Sequence, residues 1–362
     1  MSLTDYRTLG RSGLRVSPFC LGTMTFGTEW NMGVPPEESF ALMSTYLERG
    51  GNFLDCANIY NKGHSEKIVG DYFNTGPGKG TRDRVVIATK FMGNMFASDP
   101  NGGGAGRKAI IDQCEHSLRR LQTDYIDLYW AHFQDRQTPI EEMVEAMDRL
   151  VQQGKVRYLG LSDHPAWVCA QAQYVAMLKN LTGFIGLQIE YSLLQRTVEA
   201  ELIPMAMELG MGVTPWSPLR AGVLSGKFRR DSFPKEETRV QPDSQYLNES
   251  TYDLIDALVE IAGQVGGSPA QVALRWVQDR PGVSSTIIGA RRPEHLLDNL
   301  GALDIALSPE QTSKLDGLSA PTLPFPHDFL ERVQAAIHGG MRVNGVDAPY
   351  WPLQPSDEND RW

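Results

Sequence analysis

Four residues early in this 362-residue chain have the types and positions to do acid–base chemistry together: Asp55, Tyr60, Lys90 and His132. Each stands at or just beyond the end of an apolar run. Phe53-Leu54 leads into Asp55, with Tyr60 one short loop later; 84–89 leads into Lys90; 125–131 leads into His132. A tyrosine, with an ordinary pKa of about 10, is a poor acid at neutral pH. A neighbouring ammonium favours the phenolate and makes the proton easier to give away. Lys90 can supply that ammonium, Asp55 can hold it in place and keep it charged, and His132 can donate a hydrogen bond to an oxygen on which charge develops. Together they suit polarisation and protonation of a carbonyl. No side chain is a hydride donor, so a reduction would need a cofactor. Taken singly, Asp55 and Lys90 are equally well a structural ion pair, His132 a rim histidine and Tyr60 a packing residue. Their recurrence at the same end of successive runs favours chemistry.

A second group lies at Ile287-Ile288-Gly289-Ala290-Arg291-Arg292-Pro293-Glu294-His295. A glycine after an apolar run, two arginines and a proline at the first position of a helix suit a phosphate, because helix N-termini offer free N–H groups and arginine binds phosphate through parallel hydrogen bonds. Two solvated arginines on a loop are the plainer alternative.

The elements that must position these groups alternate between short apolar runs and amphipathic stretches. Residues 6–9 and 14–16 flank Gly10-Arg11-Ser12-Gly13 and predict a hairpin. Strands are then expected near 18–22, 52–55, 84–89, 125–131, 156–161, 184–187, 210–214 and 283–288, with helices between them. Phe40, Met43 and Leu47 are expected to form one face of a helix over 36–50, and Ile110, Cys114, Leu118 and Leu121 another. Thr138-Pro139-Ile140-Glu141, Ser268-Pro269-Ala270-Gln271 and Ser308-Pro309-Glu310-Gln311 carry the spacing of reciprocal N-terminal caps. Strands that each end in a chemically capable residue, separated by helices, predict an α/β fold, a (β/α)8 TIM barrel with an N-terminal β-hairpin and a C-terminal extension, with its chemistry at the C-terminal ends of the strands.

Asn101-Gly102-Gly103-Gly104-Ala105-Gly106 is no dinucleotide fingerprint, since it follows about a dozen loop residues instead of the first strand of a βαβ unit. It is expected to be a flexible active-site rim. Residues 216–247 are expected to form an inserted loop over the top of the barrel. One domain over 1–320 and a tail over 321–362 account for the chain, with Phe325 and Phe329 suggesting that the tail covers the active site or the surface.

Composition narrows the class. The chain is 41% hydrophobic and 22% charged, has no apolar run of membrane-spanning length, and carries a net charge of −10, which argues against nucleic acid and anionic membrane as partners. Cys20, Cys56, Cys114 and Cys169 lack metal-ligand spacing, so free thiols in a reducing cytoplasm are expected, with no metal.

The stretch with Asp55 and Tyr60, Lys90, the His132 region, 154–162, Pro215-Trp216-Ser217-Pro218-Leu219 and Ile288-Gly289-Ala290-Arg291 together resemble the aldo-keto reductases, from about Tyr6 to Leu318. The resemblance implies a barrel closed below by the hairpin and NADPH bound without a Rossmann motif. It implies a catalytic tetrad of Asp55, Tyr60, Lys90 and His132, with Tyr60 as proton donor to a small-molecule carbonyl substrate. Ser162, Asp163 and Gln188 would meet the nicotinamide carboxamide and Trp216 would stack on its ring. Ser217, Leu219, Arg220, Gly222, Leu224 and Lys227 would cover the pyrophosphate. Gly289, Arg291, His295, Asp298 and Asn299 would surround the adenosine and its 2′-phosphate. Asp163, Arg220 and His295 depart from the family's usual residues, and an ionised Asp163 can only accept hydrogen bonds. Met24, Phe26, Trp30, Phe91 and Phe133 are the expected pocket walls. The resemblance extends to potassium-channel β subunits, so an NADPH-binding regulatory subunit is the alternative to an enzyme. The barrel alone would also suit a hydrolase or an isomerase.

Overall fold

A computed structural model describes residues 1–234, 238–355 and 357–361; residues 235–237 of the inserted loop and two residues of the tail lie outside them. The chain divides into two compact units, Met1–Ser319 and Ala320–Trp362.

The first unit begins with the antiparallel pair β1 (Arg7–Thr8) and β2 (Arg15–Val16). Eight parallel strands follow: β3 (Phe19–Gly22), β4 (Phe53–Asp55), β5 (Val86–Phe91), β6 (Ile126–Ala131), β7 (Val156–Ser162), β8 (Phe184–Glu190), β9 (Gly212–Trp216) and β10 (Thr286–Ile288). They hydrogen-bond in the order β10-β3-β4-β5-β6-β7-β8-β9. The two ends meet through a parallel bridge between Val213 and Val283 and through Ser284 N–H donating to Val213 O at 2.9 Å. The sheet is therefore a nearly closed (β/α)8 barrel, as the alternation of runs predicts. Between the strands run α1 (Pro36–Glu48), α2 (His64–Asn74), α3 (Arg107–Leu121), α4 (Ile140–Gln152), α5 (Ala166–Leu178), α6 (Leu202–Glu208), α7 (Glu249–Val265) and α8 (Pro269–Gln278). After β10 come α9 (Pro293–Leu300) and α10 (Pro309–Leu318). The second unit holds α11 (His327–His338) and the short pair β11 (Arg342–Val343) and β12 (Val346–Asp347).

Side chains alternate across each strand. Phe53, Val86, Ala88, Leu128 and Trp130 face the barrel interior and pack with Leu9 and Val16 of the hairpin, which plugs the lower end. Trp130 fills the middle. It fits because β7 and β8 offer glycines: a Cβ on Gly160 would lie 2.2 Å from its ring, and one on Gly186 2.8 Å. The same alternation carries Asp55, Lys90, Ser162 and Gln188 inward, one or two steps above this layer.

Three local expectations change. The buried face of α1 is Ser39, Leu42, Met43 and Tyr46, with Phe40 and Leu47 only partly buried. The Tyr46 hydroxyl sets that rotation: it donates to Phe19 O at 2.7 Å and accepts from Phe53 N at 3.2 Å. Helix α4 has no side-chain cap, because Thr138 donates to Asp135 instead, at 2.7 Å. The glycine run after β5 is packed: Gln113 donates to Gly102 O at 2.7 Å, and a Cβ on Gly103 would lie 2.7 Å from Asn94 backbone. The boxes at Ser268 and Ser308 form as expected.

Candidate active site

At the C-terminal end of the barrel Asp55, on β4, and Lys90, on β5, form a buried ion pair. The Lys90 ammonium also donates to Cys56 O at 2.7 Å and to the Tyr60 hydroxyl at 3.1 Å, so all three of its protons are used. The other Asp55 oxygen accepts from Gln188 Nε2 at 3.0 Å. Tyr60 sits on a tight turn, Tyr60–Gly63, in which Asn61, Lys62 and Gly63 all take positive φ. Two asparagines hold that turn. Asn61 donates to Met24 O at 2.8 Å and Phe26 O at 3.0 Å, and Asn58 donates to Gly93 O at 2.9 Å. His132, just past β6, packs edge-on to Tyr60 with ring centroids 5.9 Å apart, and its buried Nδ1 has no hydrogen-bond partner among the described residues. The structure thus brings all four expected residues together.

Along the next strand ends, Trp216 donates its indole N–H to Asp163 at 3.0 Å, and Ser162 donates to the other Asp163 oxygen at 3.3 Å. Arg220 forms an ion pair with Glu190 and lies 4.1 Å from the centre of the Tyr246 ring, so its guanidinium ties the inserted loop to β8. The N–H groups of Gly222 and Leu224 both donate to Leu219 O, and the Leu224 side chain is fully buried in the core. Neither presents a free N–H, and Leu224 has no surface with which to cover a ligand. Ser217 has φ of 54° at the start of this loop. The Lys227 ammonium lies beside Gly222, 3.2 Å from where a Cβ would sit.

At the far end, Pro293 opens α9 with no side-chain cap among the described residues, so its first N–H groups can meet a ligand or water. Arg291 and His295 are exposed there, while Asn299 is buried with its amide 3.5 Å from Gly289 O. Asp298 is turned to another task, accepting from Ser268 and from Gln271 at 3.2 and 3.0 Å across the start of α8.

Of the expected pocket walls, Met24 and Trp30 are half-buried and Phe133 is exposed, with Trp30 packing edge-on to Tyr60 at 6.1 Å. Phe26 and Phe91 have no exposed surface. Phe91 follows Lys90 on β5 and so faces the helix layer, where its ring lies 4.9 Å from Tyr129.

A family model described as the aldo/keto reductase family matches residues 18–320. The chain belongs to the aldo/keto reductase family. An aryl-alcohol dehydrogenase of Phanerodontia chrysosporium, whose name specifies NADP(+), is 36% identical over 88% of this chain and 85% of its own. A norsolorinic acid reductase of Aspergillus flavus is 37% identical over 96% and 89%. A protein of Oryza sativa subsp. japonica, named "probable voltage-gated potassium channel subunit beta", is 36% identical over 87% and 96%. This aldo/keto reductase is an oxidoreductase, and its family and relatives support carbonyl reduction.

The electrostatics of this aldo/keto reductase follow from burial. Burial pushes the Tyr60 phenol up, and the Lys90 charge offsets that only in part, so the group keeps its proton at neutral pH. Lys90, despite the cost of burial, is pushed above its ordinary value by Asp55. Burial, then Lys90, drives His132 down to about 3, which makes it a neutral imidazole with one N–H to donate. Asp163 is pushed up to about 6 by burial of its carboxylate, against the hydrogen bonds from Trp216 and Ser162.

The donors at the α9 end fit a phosphate. Arg239, on the inserted loop, is exposed as a residue, and partial desolvation of its guanidinium together with the Arg291 charge holds it below its ordinary value. An anion bound beside the start of α9 would offset the mutual repulsion of these two guanidiniums. Sequence reasoning missed Arg239; its signal was an arginine in a loop placed over the barrel mouth. Among the described residues no cluster of His, Cys, Asp or Glu could hold a metal ion, and no helix is long and apolar enough to cross a membrane.

Proposed function

We propose that this chain reduces aldehydes or ketones to alcohols with NADPH, Tyr60 serving as the proton donor. The observation that carries the reading is the Lys90 ammonium, shared between Asp55 and the Tyr60 hydroxyl inside the barrel mouth. When bound, the reduced nicotinamide supplies the hydride. Tyr60 gives its phenolic proton to the carbonyl oxygen, and the phenolate left behind is stabilised by Lys90 at 3.1 Å. Asp55 keeps Lys90 charged and Gln188 keeps Asp55 oriented. Neutral His132 donates a hydrogen bond to the substrate oxygen without adding a positive charge that would compete with Lys90. Ser162, Asp163, Gln188 and Trp216 shape the nicotinamide end, and Arg291, with Arg239, meets the 2′-phosphate. Met24, Trp30 and Phe133 suit an apolar or aromatic carbonyl, in keeping with the names of the aryl-alcohol and norsolorinic acid relatives. Four unpaired cysteines suit a reducing compartment, the cytoplasm in this reading.

Tyr60→Phe tests the proposal by single-turnover oxidation of bound NADPH with a reactive aromatic aldehyde. The rate is expected to fall by about 10³ or more, while NADPH affinity, read from tryptophan quenching, stays within about twofold. A variant that kept more than about a tenth of the wild-type rate would remove Tyr60 as the donor. The rice relative favours one second reading, an NADPH-binding regulatory subunit. Wild-type protein that bound NADPH yet turned over no carbonyl would put that reading first.

A further inference from the structure

Behind the tetrad lies a buried charge that the chemistry above does not use. Glu66, on the first turns of α2, has no exposed surface. One of its carboxylate oxygens accepts from Arg120 Nε, on α3, at 2.6 Å. The other accepts from the Thr89 hydroxyl, on β5, and Thr89 is also fully buried. A buried ion pair pays for its desolvation and on balance adds little stability over a packed apolar core. What it does supply is position, because a carboxylate with two directed partners tolerates little displacement of either.

Its partners are the two elements whose spacing the tetrad needs. Thr89 immediately precedes Lys90, facing outward while Lys90 faces inward. Glu66 stands three residues after Gly63, the end of the turn that carries Tyr60. Arg120 also packs against that turn: a Cβ on Gly63 would lie 3.0 Å from Arg120 Cδ. Its backbone is fixed as well, since a Cβ on Gly70 of α2 would lie 2.4 Å from Arg120 O. Arg120 therefore grips α2 at two places, and Glu66 joins both to β5.

From this geometry we propose that Glu66, Arg120 and Thr89 are positioning residues which set the distance between Lys90 Nζ and the Tyr60 hydroxyl. The proposal rests on Tyr60 being the proton donor. Without Glu66 the Tyr60 turn and the end of β5 lose their shared anchor, and the lysine–tyrosine contact lengthens. The phenol is then less acidic and its phenolate less stabilised.

The test measures carbonyl reduction by Glu66→Gln against pH, with NADPH affinity and thermal unfolding beside it. The expected result is a kcat lower by about 10- to 100-fold, with the KM for aldehyde and NADPH affinity within about twofold. The alkaline limb of the kcat profile should move to higher pH, because Lys90 no longer holds the phenol down. Mere loss of the Glu66 charge would move that limb the other way, and mere loss of stability would not move it. Thr89→Val, which removes one hydroxyl and no charge, and Arg120→Lys, which keeps the charge, carry the test if Glu66→Gln does not fold. Each should show a smaller shift of the same sign. Folded variants with wild-type kcat and an unmoved alkaline limb would overturn the proposal. If Tyr60→Phe retains activity, the fault lies with the donor assignment; if Tyr60→Phe is inactive and these variants are unchanged, it lies with the positioning network alone.

Discussion

At the scale of single residues, the site works by opposing burial against charge, and the balance differs from group to group. Lys90 is as buried as any core side chain yet stays protonated, because its three protons all have acceptors, one of them a carboxylate. For Asp163 burial outweighs the hydrogen bonds from Trp216 and Ser162 and the Lys90 charge. Its pKa of about 6 means that raising the pH from 5 to 7 places a negative charge next to Trp216, where an anionic cofactor is proposed to bind. NADPH affinity is therefore expected to weaken a few-fold across that window in the wild type and to stay flat in Asp163→Asn; isothermal titration at both pH values checks it. His132 makes stability itself depend on pH. Its folded pKa, about 3, lies below the unfolded value of about 6.5, so the unfolded chain takes up the proton first as pH falls. Native stability should drop between about pH 6.5 and 3, and His132→Asn should flatten that part of the melting-temperature profile. At the phosphate end, Arg291→Ala should cost NADPH on the order of 2 kcal/mol, some thirtyfold in affinity, and leave NADH nearly untouched. Equal losses for both would remove the 2′-phosphate assignment.

At the scale of elements, similar sequence signals had different outcomes according to what else was near. Ser268 and Ser308 each accept from the N–H three residues on while Gln271 and Gln311 return the bond. Thr138-Pro139-Ile140-Glu141 has the same spacing, but Asp135 competes for the threonine hydroxyl and also accepts from Ala105 N and Gln137 N. A carboxylate that already gathers backbone donors outbids a helix terminus. Ser268→Ala should thus destabilise the protein by about 1 kcal/mol, whereas Thr138→Val should cost less than half of that, measured by urea unfolding. Phe91 shows the same point in a strand. It follows Lys90 directly, so the two-residue period that points Lys90 into the mouth points Phe91 away from it.

At the scale of the whole molecule, Met1–Ser319 is a compact unit with its own core, distinct from Ala320–Trp362. Ending the chain after Ser319 should leave a barrel that unfolds cooperatively and binds NADPH; loss of cooperative unfolding would contradict this. Kinetic constants of that shortened form across a panel of aldehydes then measure the share of substrate choice that belongs to the tail. The sequence by itself determined the barrel, its order of elements and the placing of Asp55, Tyr60, Lys90 and His132 at one end of it, because strand period, helix period and strand-end residue type are local patterns written along the chain. Only the tertiary structure decided that Glu66 reaches Thr89 and Arg120, that Arg220 is spent on Glu190 and Tyr246, and that Asp298 serves α8. Those are contacts between elements far apart in sequence. They depend on how the helices rotate and how the inserted loop lies, and these are set by the packing of large side chains such as Trp130 and Tyr46 against whatever gaps their neighbours leave.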